Sequence, residues 1–325
     1  MEKIKLLTMA ALATAVFASC SNEDGLPQSN YPADNVVRIT TSVDGMNTRA
    51  SYGGSTAKLS SFGFCINNAG SDKYTYDNIK VTQENGKWNP ATQMLWQNST
   101  TAVDILAYAP YQANGNVKIF GKSDYAFSVK EDQSNAEDYS SDLIVYKQTG
   151  FTPGLELNTS KAVDVTFTHL LSQLNLTIEL RDQFNQDEKK PVTEATVTDV
   201  KVNGTIISSK VDFSASPISV QVDDTQEATA ITPETTEFKA AGKTTDHAAF
   251  NYSAIVIPQT VTAGNFSISF KVDGTDYIWT STSDVNFVSG NKHQLSLLVG
   301  KNVVQVKGIT ATPWGKENIT QGETD

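Results

Sequence analysis

Three histidines and a pair of adjacent carboxylates are the residues whose types could do acid–base or metal chemistry. His169, His247 and His293 each stand alone among Thr, Leu, Ala or Gln, without a second ligand at the spacing of a metal site. His169 follows an apolar run, which favours a hydrogen-bonded histidine in the core or at a strand edge over a catalytic base. Asp223 and Asp224 would point to opposite faces of a strand, so they do not form an acid/base pair by themselves. We therefore expect no catalytic residue, no metal ligand and no cofactor, and we predict that the protein is not an enzyme.

The acidic run at residues 131–138 (EDQSNAED) is the stretch that suggests a calcium loop. An EF-hand loop beginning at Asp132 would need glycine at its sixth position and a bidentate glutamate at its twelfth. The sequence has Glu137 and Leu143 at those positions, so a solvated loop is the better interpretation. The sequence also contains no G-x-S-x-G, H-E-x-x-H or phosphate-binding glycine motif.

Cys20 is the residue most clearly marked for covalent modification. It follows two early lysines, an apolar stretch over residues 6–18 and the small residue Ser19. This order is typical of a bacterial lipoprotein signal peptide, so we predict a signal peptide at residues 1–19 and acyl chains such as palmitate on Cys20. Each buried methylene of those chains contributes about 0.8 kcal/mol to membrane attachment. An ordinary signal peptide with an incidental cysteine is the alternative, because Phe17 is bulkier than the residue usual at that position.

The segment after the cysteine predicts a surface location. Residues 20–35 are polar, with two prolines and a glycine, and are expected to form a lipidated tether. The acidic Glu23 and Asp24 resemble the export tag of surface-exposed lipoproteins in some Gram-negative anaerobes, although two carboxylates in a linker are also simply solubilising. We predict an outer membrane lipoprotein exposed at the cell surface.

Charge and cysteine content exclude other classes. The formal net charge is -11, which argues against a nucleic-acid partner. If Cys20 is acylated, Cys65 has no partner for an intrachain disulfide, so the fold cannot rest on disulfides.

The body of the chain reads as all-β. Apolar residues alternate with polar ones in repeated runs, and Asn-Gly and Asp-Gly dipeptides between the runs favour tight hairpin turns. The runs are Val37, Ile39, Thr41 and Val43; Val103, Ile105 and Ala107; Val163, Val165 and Phe167; Leu174, Leu176, Ile178 and Leu180; Phe266, Ile268, Phe270 and Val272; and Leu295, Leu297 and Val299. Many short strands of this kind predict β-sandwiches.

The length predicts two such domains in tandem. Residues 147–162 gather Gly, Pro, Asn, Thr and Ser before a strong strand pattern, so we place a linker near residue 158. The predicted units are an N-terminal β-sandwich at residues 36–158 and a C-terminal β-sandwich at residues 159–325.

An ordered set of motifs resembles the fimbrillin family. The segment KWNPATQMLWQNSTTAVDILAYAPY at residues 87–111 resembles that family's Trp-rich segment, with a tryptophan before a strand ending in Ala-Tyr-x-Pro. The other matching motifs are Ser141-Asp142-Leu143-Ile144, Val165 to Ser172 with its Phe-x-His-x-Leu core, Ile257-Pro258-Gln259-Thr260, Tyr277-Ile278-Trp279, Ser289-Gly290-Asn291-Lys292 and Ile309 to Trp314. The resemblance covers roughly residues 36–316.

This resemblance implies a fold and an assembly mechanism. Fimbrillins of the Mfa-like kind are lipidated pilus subunits with two transthyretin-like, Greek-key β-sandwiches. A trypsin-like protease cuts them after an arginine in the N-terminal strand, and they assemble by donor-strand exchange with other fimbrial subunits. In this chain the matching segment is Val36 to Arg49, with the expected cut between Arg49 and Ala50. Arg38 is the competing arginine, but a cut there would leave most of the strand in place.

The N-terminal strand has the residues that such a mechanism needs. If Val37, Ile39 and Val43 are fully buried, together they contribute at most about 5–9 kcal/mol. Loss of this strand would leave a groove that a neighbour's strand could fill through main-chain hydrogen bonds and alternating side-chain pockets. A head-to-tail contact of this type that does not close builds a fibre.

The donor strand has two interpretations. Near the C-terminus an extended apolar segment contains Val303, Val304, Val306 and Ile309, with Trp314 as a candidate anchor. It could be donated to a neighbour, or it could be the last strand of the C-terminal sandwich, which is the favoured interpretation.

Other functions are less favoured by the sequence. The main alternative is a surface glycan-binding lipoprotein that never polymerises, with Tyr74 and Tyr76 on one strand face as a sugar platform.

His293 departs from the aromatic usual after Ser-Gly-x-Lys, and the chain is shorter than major stalk subunits, so a stalk, tip or anchor role stays open. Adhesion to host or bacterial surface ligands is the expected purpose.

Overall fold

The computed structural model describes residues 30–44, 58–113, 118–186, 191–243 and 246–314. The described residues form strands almost throughout, which confirms the predicted all-β class. The strands are β1 (Ile39–Val43), β2 (Ser61–Asn67), β3 (Tyr76–Glu84), β4 (Lys87–Pro90), β5 (Val103–Ala109), β6 (Tyr125–Ser128), β7 (Ile144–Phe151), β8 (Val163–His169), β9 (Ser172–Leu180), β10 (Val197–Asn203), β11 (Ser208–Asp212), β12 (Ser219–Val222), β13 (Glu234–Lys239), β14 (Ala248–Val256), β15 (Gln259–Val261), β16 (Ser267–Val272), β17 (Thr275–Thr280), β18 (Val285–Phe287), β19 (Asn291–Gly300) and β20 (Val303–Pro313).

Helical structure in the described residues is confined to single turns. One α-helical turn, α1, spans Pro153–Glu156, and 3₁₀ turns span Asp72–Tyr74, Asp182–Phe184 and Glu194–Thr196. In this part of the chain no helix is long and apolar enough to span a membrane.

A seven-stranded sheet contains the first strands of the chain. Its order is β1-β8-β7-β5-β2-β3-β4, so β1 and β4 are its two edges. The β1–β8 pair is parallel, and the other neighbours are antiparallel. In β8 the predicted alternation is realised, because Val163, Val165 and Phe167 are buried and the residues between them are exposed.

The later strands form four smaller groups. A five-stranded sheet has the order β13-β14-β9-β19-β20, with β9 and β19 parallel. Two three-stranded sheets have the orders β10-β16-β17 and β12-β11-β6, and β15 pairs with β18.

Two of the predicted hairpin turns form, whereas Asn203-Gly204 leads from β10 to β11, which do not pair with each other. Asn85 and Gly86 join β3 to β4 with φ values of 53° and 73°, and Asp273 and Gly274 join β16 to β17 with φ values of 50° and 82°. Positive φ at both central residues is the type I′ geometry, which matches the twist of two antiparallel strands.

The predicted boundary near residue 158 does not coincide with a change of sheet. β8 follows that position but pairs with β1 and β7 in the seven-stranded sheet, and the chain enters the five-stranded sheet only at β9. In addition, β6 from the predicted N-terminal unit pairs with β11 from the predicted C-terminal unit. The Gly- and Pro-rich stretch forms α1 and a turn with positive φ at Lys161, because these residues mark a local reversal of the chain and carry no information about which sheet continues.

Two buried cores share the strands of the seven-stranded sheet. The first core includes Phe62, Phe64, Ile105, Val163 and Phe167. The second core combines the strands from β9 onward with residues of the first strands. Those residues include Cys65 on β2, Leu106 and Tyr108 on β5, and Val145 on β7. Alternate residues of β2 and β5 therefore face different cores.

Candidate functional site: the two terminal strands

Strand β1 lies at an edge and buries one face. Ile39 to Val43 pair in register with Val163 to Phe167 of β8, and the side chains of Val37, Ile39 and Val43 are buried in the first core. The predicted amphipathic pattern of this segment is confirmed. Its hydrophobic attachment therefore comes from one row of apolar side chains.

The outward face of β1 makes polar contacts. Thr40 Oγ1 donates to Val163 O or Asp164 Oδ1, both at 3.3 Å, and accepts a hydrogen bond from Asn158 Nδ2 at 2.9 Å. Ser42 Oγ donates to Thr166 Oγ1 at 3.0 Å. These bonds hold β1 to β8 and to the loop before β8.

A hydroxyl on the inward face of β1 lacks a partner. Thr41 Oγ1 is buried and has no hydrogen bond among the described residues. A buried polar atom without a partner costs about 1–3 kcal/mol, so this residue weakens the attachment of β1. In the sequence Thr41 is part of the alternating run Val37, Ile39, Thr41 and Val43, and a threonine at this inward position is the signal that could have indicated the unpaired hydroxyl.

A groove of about 790 Å³ runs beside β1. It is lined by residues 36–41, by the β3–β4 hairpin from Gln83 to Pro90, and by Ser160 and Ala162. The two edges of the seven-stranded sheet therefore line the same groove, and the sheet curls without closing. Trp88 of β4 lines this groove and packs edge-on against Phe62, with ring centroids 5.0 Å apart. The sequence did not indicate this groove, because it results from the curvature of the whole sheet.

Arg38 immediately precedes β1. Its Nη2 donates to Asp34 Oδ2 at 2.6 Å at an exposed position, and this hydrogen bond lowers the pKa of Asp34 to about 2. Because β1 begins at Ile39, a cut after Arg38 would leave the whole strand in place. The predicted cleavage residues Arg49 and Ala50, and the predicted lipidation site Cys20, lie outside the described residues.

Strand β20 lies at the edge of the five-stranded sheet. It pairs antiparallel with β19 from Val303↔Gly300 to Pro313↔Asn291. Val303, Val306 and Ile309 are exposed, and Val304 is partly buried against the second core. The segment is thus a strand of its own sheet, and its role as a donor stays a prediction.

Trp314 directly follows β20 and lies in a buried site next to His169. The Trp314 indole is stacked on the His169 ring, with centroids 3.9 Å apart and planes 5° apart. His169 Nδ1 is hydrogen-bonded to Asp142 Oδ1 at 2.9 Å, and both of these side chains are buried. The predicted hydrogen-bonded core histidine is confirmed, whereas no local sequence pattern indicated its contact with Trp314.

The remaining histidines have different surroundings. His293 is buried against Phe287, and its Nε2 accepts a hydrogen bond from the Val288 amide at 3.1 Å. Burial lowers the pKa of His293, so its neutral form is favoured. His247 is partly exposed, with Nδ1 at 3.4 Å from Glu179 Oε2.

The acidic run forms a loop of local turns. Asp132 Oδ1 accepts the Ser134 amide, Asn135 Oδ1 accepts the Glu137 amide, and Lys130 pairs with Asp138. Among the described residues no group of three or more His, Cys, Asp or Glu side chains is placed to hold a metal ion.

The predicted aromatic platform is wrong. Tyr74 ends the 3₁₀ turn Asp72–Tyr74, whereas Tyr76 begins β3, so the two rings do not share a strand face. Tyr76 Oη accepts the Leu95 amide at 3.0 Å. The turn interrupts the alternation on which the prediction relied.

Comparison with known families and structures identifies the fold. A family model described as fimbrillin-like matches residues 48–314. No curated protein matches the sequence significantly.

Three crystal structures from Bacteroides have a similar fold. A protein named for cell adhesion from Bacteroides uniformis is 20% identical, with a TM-score of 0.55 over 87% of this chain and 99% of that chain. Another with the same naming from Bacteroides ovatus is 13% identical, with a TM-score of 0.61 over 88% and 100%. A fimbrial protein from Bacteroides vulgatus is 17% identical, with a TM-score of 0.51 over 85% and 99%. At these identities the similarity establishes the fold alone.

Proposed function

Because the chain belongs to the fimbrillin-like family, we propose that it is a non-enzymatic fimbrial subunit that assembles by donor-strand exchange and serves adhesion. In this proposal the uncleaved protein is anchored in the outer membrane through lipid on Cys20 and is displayed at the cell surface, and cleavage after Arg49 releases the rest of the chain from that anchor. Its partners are other fimbrial subunits, either copies of itself or different chains.

The observation that carries the proposal is the attachment of β1. This strand has one hydrogen-bonded neighbour, one buried face and an open groove on its other side. Cleavage at Arg49-Ala50 would separate β1 from the rest of the chain, so that only non-covalent contacts would hold it.

After β1 is lost, a groove refilled by another strand has a lower free energy than an empty groove. Burial of Val37, Ile39 and Val43 contributes about 1.5–3 kcal/mol each, whereas a whole domain is stable by only about 5–15 kcal/mol. Loss of β1 would expose the apolar residues of the first core beneath it. An incoming strand that covers them again would bind tightly.

β20 is the candidate donor. It has an open edge and exposed Val303, Val306 and Ile309, which are features of a strand that can pair with another chain. Insertion of β20 into the β1 position of the next subunit would be a head-to-tail contact, and repetition of that contact gives a fibre.

Limited trypsin digestion of the purified protein tests this proposal. We expect one early cut after Arg49, dissociation of the β1 fragment, and a ladder of larger species in size-exclusion chromatography. The Arg49→Gln variant should stay monomeric, while the matched Arg38→Gln variant should behave like the natural sequence. A cut protein that stays monomeric, or oligomers that form equally in Arg49→Gln, would contradict strand exchange.

The same samples distinguish strand exchange from the glycan-binding alternative. That alternative predicts a monomer that binds polysaccharide and loses affinity when an aromatic residue lining a surface groove is replaced. Trp88→Ala is the variant to use, because Trp88 lines the groove beside β1.

A further inference from the structure

The side chains of β20 are much less buried than that of Trp314, which follows the strand. From Val303 to Pro313 none is fully buried, and only Val304 and Thr312 are partly buried. Trp314, the residue that follows, is 7% exposed. Besides its ladder with β19, the middle of the strand makes two polar side-chain contacts, Lys307 Nζ to Glu179 Oε2 at 2.7 Å and Arg181 Nη2 to Gln305 Oε1. Its one deeply buried contact is therefore at its C-terminal end.

The site that receives Trp314 is built by a different sheet. His169 is the last residue of β8, and Asp142 lies just before β7, so both belong to the region of the seven-stranded sheet. The Trp314 amide also donates to Gly290 O at 2.7 Å, and Lys292 Nζ lies 5.7 Å from the indole centroid. Trp314 thus joins the end of β20 to the β7–β8 pair.

The Asp142 hydrogen bond orients the receiving ring. A carboxylate accepts from Nδ1, which fixes the rotation of the imidazole about its side chain. The planes of the two rings are nearly parallel, so the stack depends on that orientation. Asp142 is a positioning residue for the contact between His169 and Trp314.

We propose that Trp314, His169 and Asp142 form a latch that keeps β20 paired within its own subunit. With the latch closed, the strand is held by the β19 ladder on one side and by Trp314 at its end. When Trp314 leaves His169, β20 is free to peel from β19, beginning at Pro313. The role of the released strand in assembly rests on the proposed function, but the latch itself does not.

Amide hydrogen exchange of the uncleaved protein tests the latch. The Arg49→Gln background prevents strand exchange, so this measurement is independent of assembly. In Trp314→Ala we expect the β20 amides bonded to β19 to lose protection at least tenfold, while amides of the β9–β14 pair keep theirs. Trp88→Ala removes a tryptophan of the distant β4 strand, and it should leave the β20 amides unchanged.

Two results would overturn the latch. One is unchanged protection of β20 in Trp314→Ala. The other is an equal loss of protection in β20, β9 and β14, which would make Trp314 an ordinary core residue. If Trp314→Ala does not fold, Trp314→Phe keeps a ring on His169, and it should show a smaller loss that is still confined to β20.

Assembly is then measured separately. Cleavable Trp314→Ala should oligomerise faster than the natural sequence after trypsin treatment if the released strand is the donor. Faster β20 exchange without faster oligomerisation would keep the latch and reject β20 as the donor. Failure of both proteins to oligomerise would reject the proposed function and leave the exchange result standing.

Discussion

Gly63 leaves the space that the Tyr108 ring occupies in the second core. A Cβ at this position would lie 2.3 Å from Tyr108 Cε1, and Tyr108 is fully buried with its hydroxyl 2.7 Å from Asn78 Oδ1. We expect Gly63→Ala to lower the free energy of unfolding by about 1–3 kcal/mol, because the ring must move. Urea denaturation measures this change.

A second glycine provides the matched control for Gly63. Gly308 lies in β20, and a Cβ there would have open space around it. Gly308→Ala should change stability by no more than about 0.5 kcal/mol. Equal effects at the two positions would contradict the steric explanation.

His293 makes stability depend on pH. A protonated ring could not accept the Val288 amide, and burial lowers the pKa of His293 below its unfolded value of about 6.5. The unfolded chain therefore takes up a proton first, so this contribution is fully present above about pH 6.5 and is lost as the pH falls through the folded pKa.

We expect His293→Gln to have a thermal midpoint that falls less between about pH 7.5 and pH 5 than that of the natural protein. Glutamine keeps an acceptor for the Val288 amide but does not titrate in this range. His247→Gln is the control, because His247 is partly exposed. An NMR titration that places the pKa of His293 at or above 6.5 would refute the argument.

Thr41 weakens the attachment of strand β1 to the rest of the protein. We expect Thr41→Val to stabilise the protein by about 1 kcal/mol and to slow loss of the cleaved β1 fragment, because it removes a buried hydroxyl that has no partner among the described residues. Thr40→Val should have the opposite sign, since Thr40 accepts from Asn158 and donates to β8. Fragment release followed by mass spectrometry distinguishes the two variants. The same sign in both would contradict this account.

The whole molecule is joined through β2, β5 and β6. β2 and β5 contribute to both cores, and β6 pairs with β11 across the predicted domain boundary. We therefore expect one cooperative thermal transition, with calorimetric and van't Hoff enthalpies that agree. Two resolved transitions would show that the halves unfold independently. Gly63→Ala should shift the entire transition.

Much of this fold could be predicted from local patterns. Alternation in β8 and β9, and the Asn85-Gly86 turn, depend on neighbours in the chain, and these predictions are confirmed. The predicted boundary near residue 158 does not coincide with a change of sheet, because glycine and proline indicate a turn wherever one occurs. The predicted tyrosine platform was wrong, because a 3₁₀ turn shifted Tyr74 out of the strand.

The candidate site was predicted in part. The alternation of inward and outward residues along a strand predicts the burial of Val37, Ile39 and Val43, and all three side chains are buried in the structure. The sequence pattern does not predict that β1 pairs with β8, because every amphipathic strand presents the same alternation to any neighbouring strand. Cleavage after Arg49 and lipidation of Cys20 stay predictions from sequence alone.

The sequence by itself determined the all-β class, the inward faces of β1, β8 and β9, two hairpin turns and the resemblance to fimbrillins, because each depends on residues close together in the chain. Tertiary structure alone decided that β1 lies parallel to β8, that β1 and β4 border one groove, and that Trp314 stacks on His169. Each of these contacts joins segments far apart in sequence. Their pairing is selected by the packing of the whole chain, which no local pattern specifies.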